Sequence, residues 1–145
     1  MGVERTASAE WHGDLMSGSG TVSTESGVVD NATVEWSSRA EQADQNTSPE
    51  ELIAAAHATC VSMALAHGLA QAGTPAQRLR SEATARFENV DGSFRLTTMK
   101  LRIEGQVEGV DEDEFRRAAE AAAENCPVSQ ALKGNVDVSL DASLG

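Results

Sequence analysis

Aromatic side chains are almost missing from this chain. Its 145 residues include two tryptophans, three phenylalanines and no tyrosine. Aliphatic residues and alanine must therefore fill the interior. Alanine loses no side-chain entropy on burial but removes little area from water, so stabilisation per residue is low and a partner subunit would help. Lysine is nearly absent as well: Lys100 and Lys133 stand against nine arginines. With 23 acidic and 11 basic residues the net charge is −12, which argues against nucleic acid, because phosphate binding needs clustered basic side chains. A surface this acidic fits a salty cytoplasm or a GC-rich coding bias equally well. No run of about 18 apolar residues is expected to span a membrane. The N-terminus lacks the apolar core of a signal peptide, so a cytoplasmic location is expected. In that reducing setting, the two cysteines are not expected to form a permanent structural disulfide. Met1 to Thr6 fits a myristoylation pattern, and Asn31-Ala32-Thr33 and Asn46-Thr47-Ser48 fit sequons, but patterns this short arise by chance. The length suits one domain spanning 1–145.

Hydrophobic periodicity outlines the elements. Trp11, Ala9 and Ala7 alternate with His12, Glu10 and Ser8, and turns follow at Gly13-Asp14 and Ser17 to Gly20. Thr21 to Ser26 and Thr33 to Arg39 are predicted strands around a turn at Asp30-Asn31. A helix then opens with Ser48 as N-cap, Pro49 in the first turn and Glu51 completing a capping box. From Leu52 to Leu69 its residues are almost all small or apolar, which places it inside a domain or an oligomer interface, and Gly73 can end it. Ser81 to Val90 and Phe94 to Val107 form strands joined at Asp91-Gly92. The alternation slips at Thr97-Thr98, which predicts a β-bulge. Asp111 to Glu124 is a second helix, with acidic residues at its start. Cys126-Pro127 opens a third helix, stopped by Gly134, and Val136 to Asp141 is a final strand. The order implies an α+β fold with antiparallel strands.

Chemistry centres on the cysteines. Cys126, at a helix start, faces free backbone N–H groups that stabilise a thiolate. Cys60 lies mid-helix, where burial raises a thiol pKa, so local physics nominates Cys126 as the reactive thiol unless a cation reaches Cys60. Arg39 is the candidate cation, and Glu50, free of the capping box, is placed to orient an arginine. His57 and His67 lie three and seven residues from Cys60 on the same helix, which permits a Cys60–His57 hydrolase pair or part of a metal site. No CxxC or HExxH accompanies them, and neither a metal nor a cofactor is expected.

Asn46 to Leu65, with Pro49-Glu50-Glu51 and His57-Ala58-Thr59-Cys60, resembles the helix of the osmotically inducible protein C / organic hydroperoxide resistance (OsmC/Ohr) family. Cys126-Pro127-Val128-Ser129-Gln130-Ala131-Leu132 resembles its second cysteine motif, and Trp11 to Asp14 and Gly20 to Gly27 resemble its OsmC branch. The resemblance implies antiparallel sheets around a central buried helix, in an intertwined homodimer with its sites at the interface. It implies a thiol-dependent peroxidase that acts on organic hydroperoxides and, less well, on hydrogen peroxide. Cys60 would be the peroxidatic thiol, reversing the local ranking, and Cys126 the resolving one, with Arg39 and Glu50 activating Cys60. The Ohr branch takes its arginine from the N-terminal glycine-rich turn; Ser17 to Gly20 holds none, so Arg39 is chosen. An external dithiol, lipoyl-type or other, would reduce the resulting disulfide. A redox sensor without turnover is the alternative, alongside the hydrolase. Glu50 and Cys60 lie ten residues apart on one helix, or about 15 Å along its axis. A site containing both therefore implies a second subunit.

Overall fold

The computed structural model describes residues 1–145, which divide into two compact units, Met1–Leu52 and Ile53–Gly145. In the first unit, β1 (Ala7–His12), β2 (Ser19–Thr24) and β3 (Ala32–Val34) form an antiparallel sheet in that order. The β1–β2 turn is tied by Asp14, whose carboxylate accepts the Ser17 N–H at 2.7 Å and the Ser17 hydroxyl at 2.6 Å. Strand β2 begins inside the predicted turn. Gly20 permits this, because a Cβ there would lie 2.5 Å from the Glu10 carbonyl oxygen. Asn31, at φ 51°, makes the turn into β3.

The strand expected through Arg39 stops at Val34. Trp36–Ala40 instead form a short helix, α1, whose last turn carries Arg39. The polar run explains the difference: the Ser37 carbonyl accepts the N–H groups of Glu41 and Gln42, and Ser38 Oγ donates to Asp44 at 2.9 Å. Serines satisfied locally in this way compete with a strand ladder.

Helix α2 (Pro49–Gln71) starts as expected, with Ser48 Oγ accepting the Glu51 N–H at 3.1 Å. The Glu51 carboxylate takes the Thr47 hydroxyl at 2.8 Å, one residue upstream of the usual capping-box partner. The helix ends at Gly73, in the left-handed region at φ 85°.

Within the second unit α2 buries one stripe. His57, Val61, Leu65 and Leu69, four residues apart, are all 2% exposed or less, whereas Met63 is 68% exposed. Burial on every side is therefore not reached within a single chain. Contrary to expectation, α2 is also long and apolar enough to cross a membrane by length and composition. No Asp, Glu, Lys or Arg occurs from Leu52 to Gln71, while the buried stripe lies in the protein core.

The second sheet orders β4 (Arg78–Val90), β5 (Ser93–Gln106) and β6 (Asp137–Leu144). Asp91 (φ 52°) and Gly92 (φ 88°) make the tight β4–β5 turn, the two positive φ angles that a type I′ hairpin needs. Arg86 pairs with Thr98 and Phe87 with Leu96, leaving Thr97 as the extra residue of a bulge where the alternation slips. The Thr97 hydroxyl donates to Glu88 at 2.6 Å and holds that carboxyl below its usual range. Strand β6 pairs parallel to β5, not antiparallel as expected. The reason lies in the crossover: α3 (Glu112–Asn125) and α4 (Pro127–Leu132) intervene, so the chain re-enters the sheet in the same direction. Asp111 and Glu114 form a full capping box on α3.

Met99, Leu101 and Ile103 of β5 and Phe115, Ala119 and Ala122 of α3 complete the core with the α2 stripe and Cys126. Gly105 keeps the Phe115 ring against β5, since a Cβ there would lie 2.5 Å from two ring carbons. Phe115 is fully buried and cannot swing aside. Gly105→Ala is thus expected to lower stability by about 1–3 kcal/mol through overpacking. Urea unfolding measures it; an unchanged midpoint would show that the ring yields freely.

Candidate active site

Cys126 is where α3 ends and α4 begins. Its N–H closes α3 on the Ala122 carbonyl at 2.9 Å, and its side chain caps α4. Pro127 at the first helical position enforces this, because the residue before a proline is pushed to extended backbone; Cys126 has ψ 142°. The sulfur accepts the Ser129 N–H at 3.4 Å and lies 3.1 Å from Ser129 Oγ. The thiol is 1% exposed. The placement expected for Cys126 is thus observed.

Cys60, half-buried on α2, is its neighbour. Burial pushes the Cys60 thiol up first. The nearby Val128 backbone N–H opposes this, and the neighbouring Cys126 thiol raises it further. Both cysteines are free thiols. Folding therefore unites two side chains that sequence separates by 65 residues. Within its own unit Cys60 is held protonated, as expected for a mid-helix thiol without a cation.

Arg39 and Glu50 also come together. Arg39 Nε donates to Glu50 Oε1 at 2.9 Å and Nη2 to Oε2 at 3.0 Å, a bidentate pair between α1 and the first turn of α2. Glu50 is buried and Arg39 half-buried, so the guanidinium is held in one orientation. Sequence reading had Glu50 free to orient an arginine, and that is its observed partner.

His57 does not pair with Cys60. Its Nε2 lies 2.7 Å from Ser129 Oγ, and its buried Nδ1 has no partner. The observed arrangement is therefore not that of the hydrolase alternative. His67 is exposed, and no three His, Cys, Asp or Glu side chains are grouped to hold a metal ion. Sequence reasoning missed Ser129. The signal was its position three residues after the N-cap Cys126, where a backbone N–H bonds to the cap side chain.

Two neighbouring thiols at a helix N-terminus on an α+β scaffold define a candidate dithiol redox site. The family model described as OsmC-like protein matches residues 42–141, and the chain belongs to this family. It is 40% identical over 136 residues, 94% of each chain, to peroxiredoxin OsmC of Escherichia coli (strain K12). It is 28% identical to organic hydroperoxide resistance protein OhrB of Bacillus subtilis (strain 168), over 84% of this chain and 88% of that one. Among solved structures, an organic hydroperoxide resistance protein from Elizabethkingia anophelis superposes with a TM-score of 0.78, at 26% identity over the whole of both chains.

Burial holds His57 below its ordinary value of 6.5. The unfolded chain thus takes up this proton first as pH falls, and stability drops with it. The denaturation midpoint should fall between about pH 7.5 and pH 5.5, and less steeply in His57→Gln. Asp14 and Glu88, both lowered from ordinary carboxylate values, act only at more acid pH. An equal slope in wild type and His57→Gln would contradict a neutral buried imidazole.

Proposed function

We propose that this chain is a thiol peroxidase of peroxide defence that reduces organic hydroperoxides and, less well, hydrogen peroxide. Cys60 is the peroxidatic and Cys126 the resolving residue. The observation that carries the reading is the adjacency of two free thiols contributed by different elements. The names of the OsmC and OhrB relatives support the substrate class.

The Cys60 thiolate attacks the distal peroxide oxygen; the O–O bond breaks, and the departing alkoxide takes a proton and leaves as alcohol. Cys126 then displaces hydroxide from the Cys60 sulfenic acid, forming an S–S bond and, with one proton, water. An external dithiol, lipoyl-type or another, restores both thiols by exchange. No bound cofactor enters this cycle, which runs in a reducing cytoplasm. Consumption of cumene hydroperoxide with dithiothreitol tests it. Cys60→Ser should be inactive, and Cys126→Ser should react once and then stall or over-oxidise. Normal turnover by Cys60→Ser would overturn the assignment.

Burial raises the Cys60 pKa, so the reading requires a cation. The Arg39–Glu50 pair has the geometry to supply one. Yet α2 is unbroken, which keeps Glu50 and Cys60 of one chain about 15 Å apart along its axis. The active unit in this proposal is a two-fold homodimer, in which Arg39 and Glu50 of one protomer activate Cys60 of the other. The exposed apolar side of α2 supports such an interface. Arg39→Ala should slow the peroxide reaction about tenfold for each unit by which the Cys60 pKa rises. Arg39→Lys should recover only part of the rate, lacking the planar fork. Refolding Cys60→Ser and Glu50→Ala chains together should restore about one working site per heterodimer. A fully active monomer, or heterodimers without rescue, would sink the shared site.

A further inference from the structure

The proposed cycle uses Cys126 but leaves unexplained what surrounds it. Ser129 Oγ lies 3.1 Å from Cys126 Sγ and 2.7 Å from His57 Nε2, so one hydroxyl bridges the thiol and a fully buried imidazole. His57 Nδ1 has no partner, which makes the Ser129 contact the only hydrogen bond of that side chain. A buried imidazole with one nitrogen orphaned costs stability, and it needs a reason. We infer that Ser129 is a catalytic residue of the disulfide-forming step: its hydroxyl holds the Cys126 sulfur by a hydrogen bond, and His57 fixes the direction of that hydroxyl.

The donor and acceptor inventory fixes the chain in one sense. A neutral imidazole carries one N–H and only Nε2 has a partner, so a proton on Nε2 that is donated to Ser129 Oγ leaves no buried N–H unpaired. The Ser129 hydroxyl hydrogen is then free to turn to the Cys126 sulfur, 3.1 Å away, which also accepts the Ser129 N–H. Held by these two donors, the Cys126 sulfur is oriented for attack on Cys60. Burial opposes a charge on His57, so the imidazole acts as a fixed hydrogen-bond partner of Ser129 and not as a store for the proton. In the reaction, the S–O bond of the Cys60 sulfenic acid breaks and the S–S bond forms. The Cys126 thiol proton passes to the departing hydroxide, which leaves as water, so the protons balance. His57 touches neither sulfur in this scheme and is a positioning residue.

The inference rests on the peroxidase reading, and the experiment separates the two. Reduced protein is mixed with one equivalent of cumene hydroperoxide. Cys60 sulfenic acid and the Cys60–Cys126 disulfide are then quantified over time by trapping and mass spectrometry. The readout is the rate of disulfide closure relative to sulfenic acid formation in the same sample. For Ser129→Ala this ratio should fall about tenfold or more, the loss expected from one hydrogen bond to the reacting sulfur, and excess peroxide should drive Cys60 to sulfinic acid. Ser129→Thr, which keeps a hydroxyl, should restore most of the ratio. His57→Ala should lower it, and His57→Gln, which keeps a hydrogen-bonding group at similar reach, should recover it. A tie that only holds α2 to α4 would change melting temperature without changing the ratio. A wild-type ratio in Ser129→Ala, or no recovery in both Ser129→Thr and His57→Gln, overturns the inference. Absence of Cys60 sulfenic acid in every protein, wild type included, would instead overturn the peroxidase reading.

Discussion

The stripe His57, Val61, Leu65 and Leu69 is the constraint on which the second unit depends. Four side chains at four-residue spacing give α2 one fully buried ridge in the core that Met99, Leu101 and Ile103 of β5 share. That ridge fixes the rotation of α2 about its axis, and with it the side on which Cys60 stands. The same core holds Phe115, Ala119, Ala122 and Cys126, so the end of α3 is fixed by the packing that fixes α2. The meeting of the two thiols is thus a consequence of hydrophobic burial. The first residue of the ridge, His57, is polar, and it is the one that reaches Ser129 beside Cys126.

Burial sets the chemistry at odds with itself. The packing that brings Cys60 to Cys126 also raises the Cys60 pKa, and the adjacent Cys126 raises it again. A thiolate in this position needs a positive charge from elsewhere, in a chain with only 11 basic residues and a net charge of −12. Guanidinium suits the purpose better than ammonium, since it stays charged when partly buried and is locked by two hydrogen bonds to one carboxylate. Arg39 is held in that way, and the buried Glu50 gives it a fixed direction. The proposed exchange of this pair across a dimer resolves the contradiction without breaking α2.

Much of this was legible in the sequence wherever a local rule sufficed. Ser48 and Gly73 bound α2, Asp91-Gly92 makes its turn, and the slip at Thr97 is a bulge, because capping, left-handed backbone and two-residue alternation act within a few residues. Cys126 before Pro127 likewise reads directly as a helix cap. What failed was non-local or evenly balanced. Thr33 to Arg39 alternates well enough for a strand, and only the contacts of Ser37 and Ser38 with the following loop turn its second half into α1. The direction of β6 follows from a two-helix crossover that no periodicity encodes. Ser129 looked like an ordinary helix residue, and its role needs His57, 72 positions away.

The outward side of α2 carries the remaining argument. Ala55, Ala56, Thr59, Met63, Ala66 and Ala70 are exposed on a helix with no charged residue from Leu52 onward. A solvent-facing helix side is ordinarily polar, because exposed apolar area gains nothing from folding and invites association. Small side chains in such a row let a second backbone approach closely, and Met63 adds an adaptable filler. An interior poor in aromatics stabilises each chain weakly, so burying this row in a two-fold contact would add the apolar area that one chain lacks. In the proposed dimer, stability and catalysis then depend on the same event. Association would cover the row and bring a guanidinium to each thiol, leaving the separated chain both less stable and chemically silent.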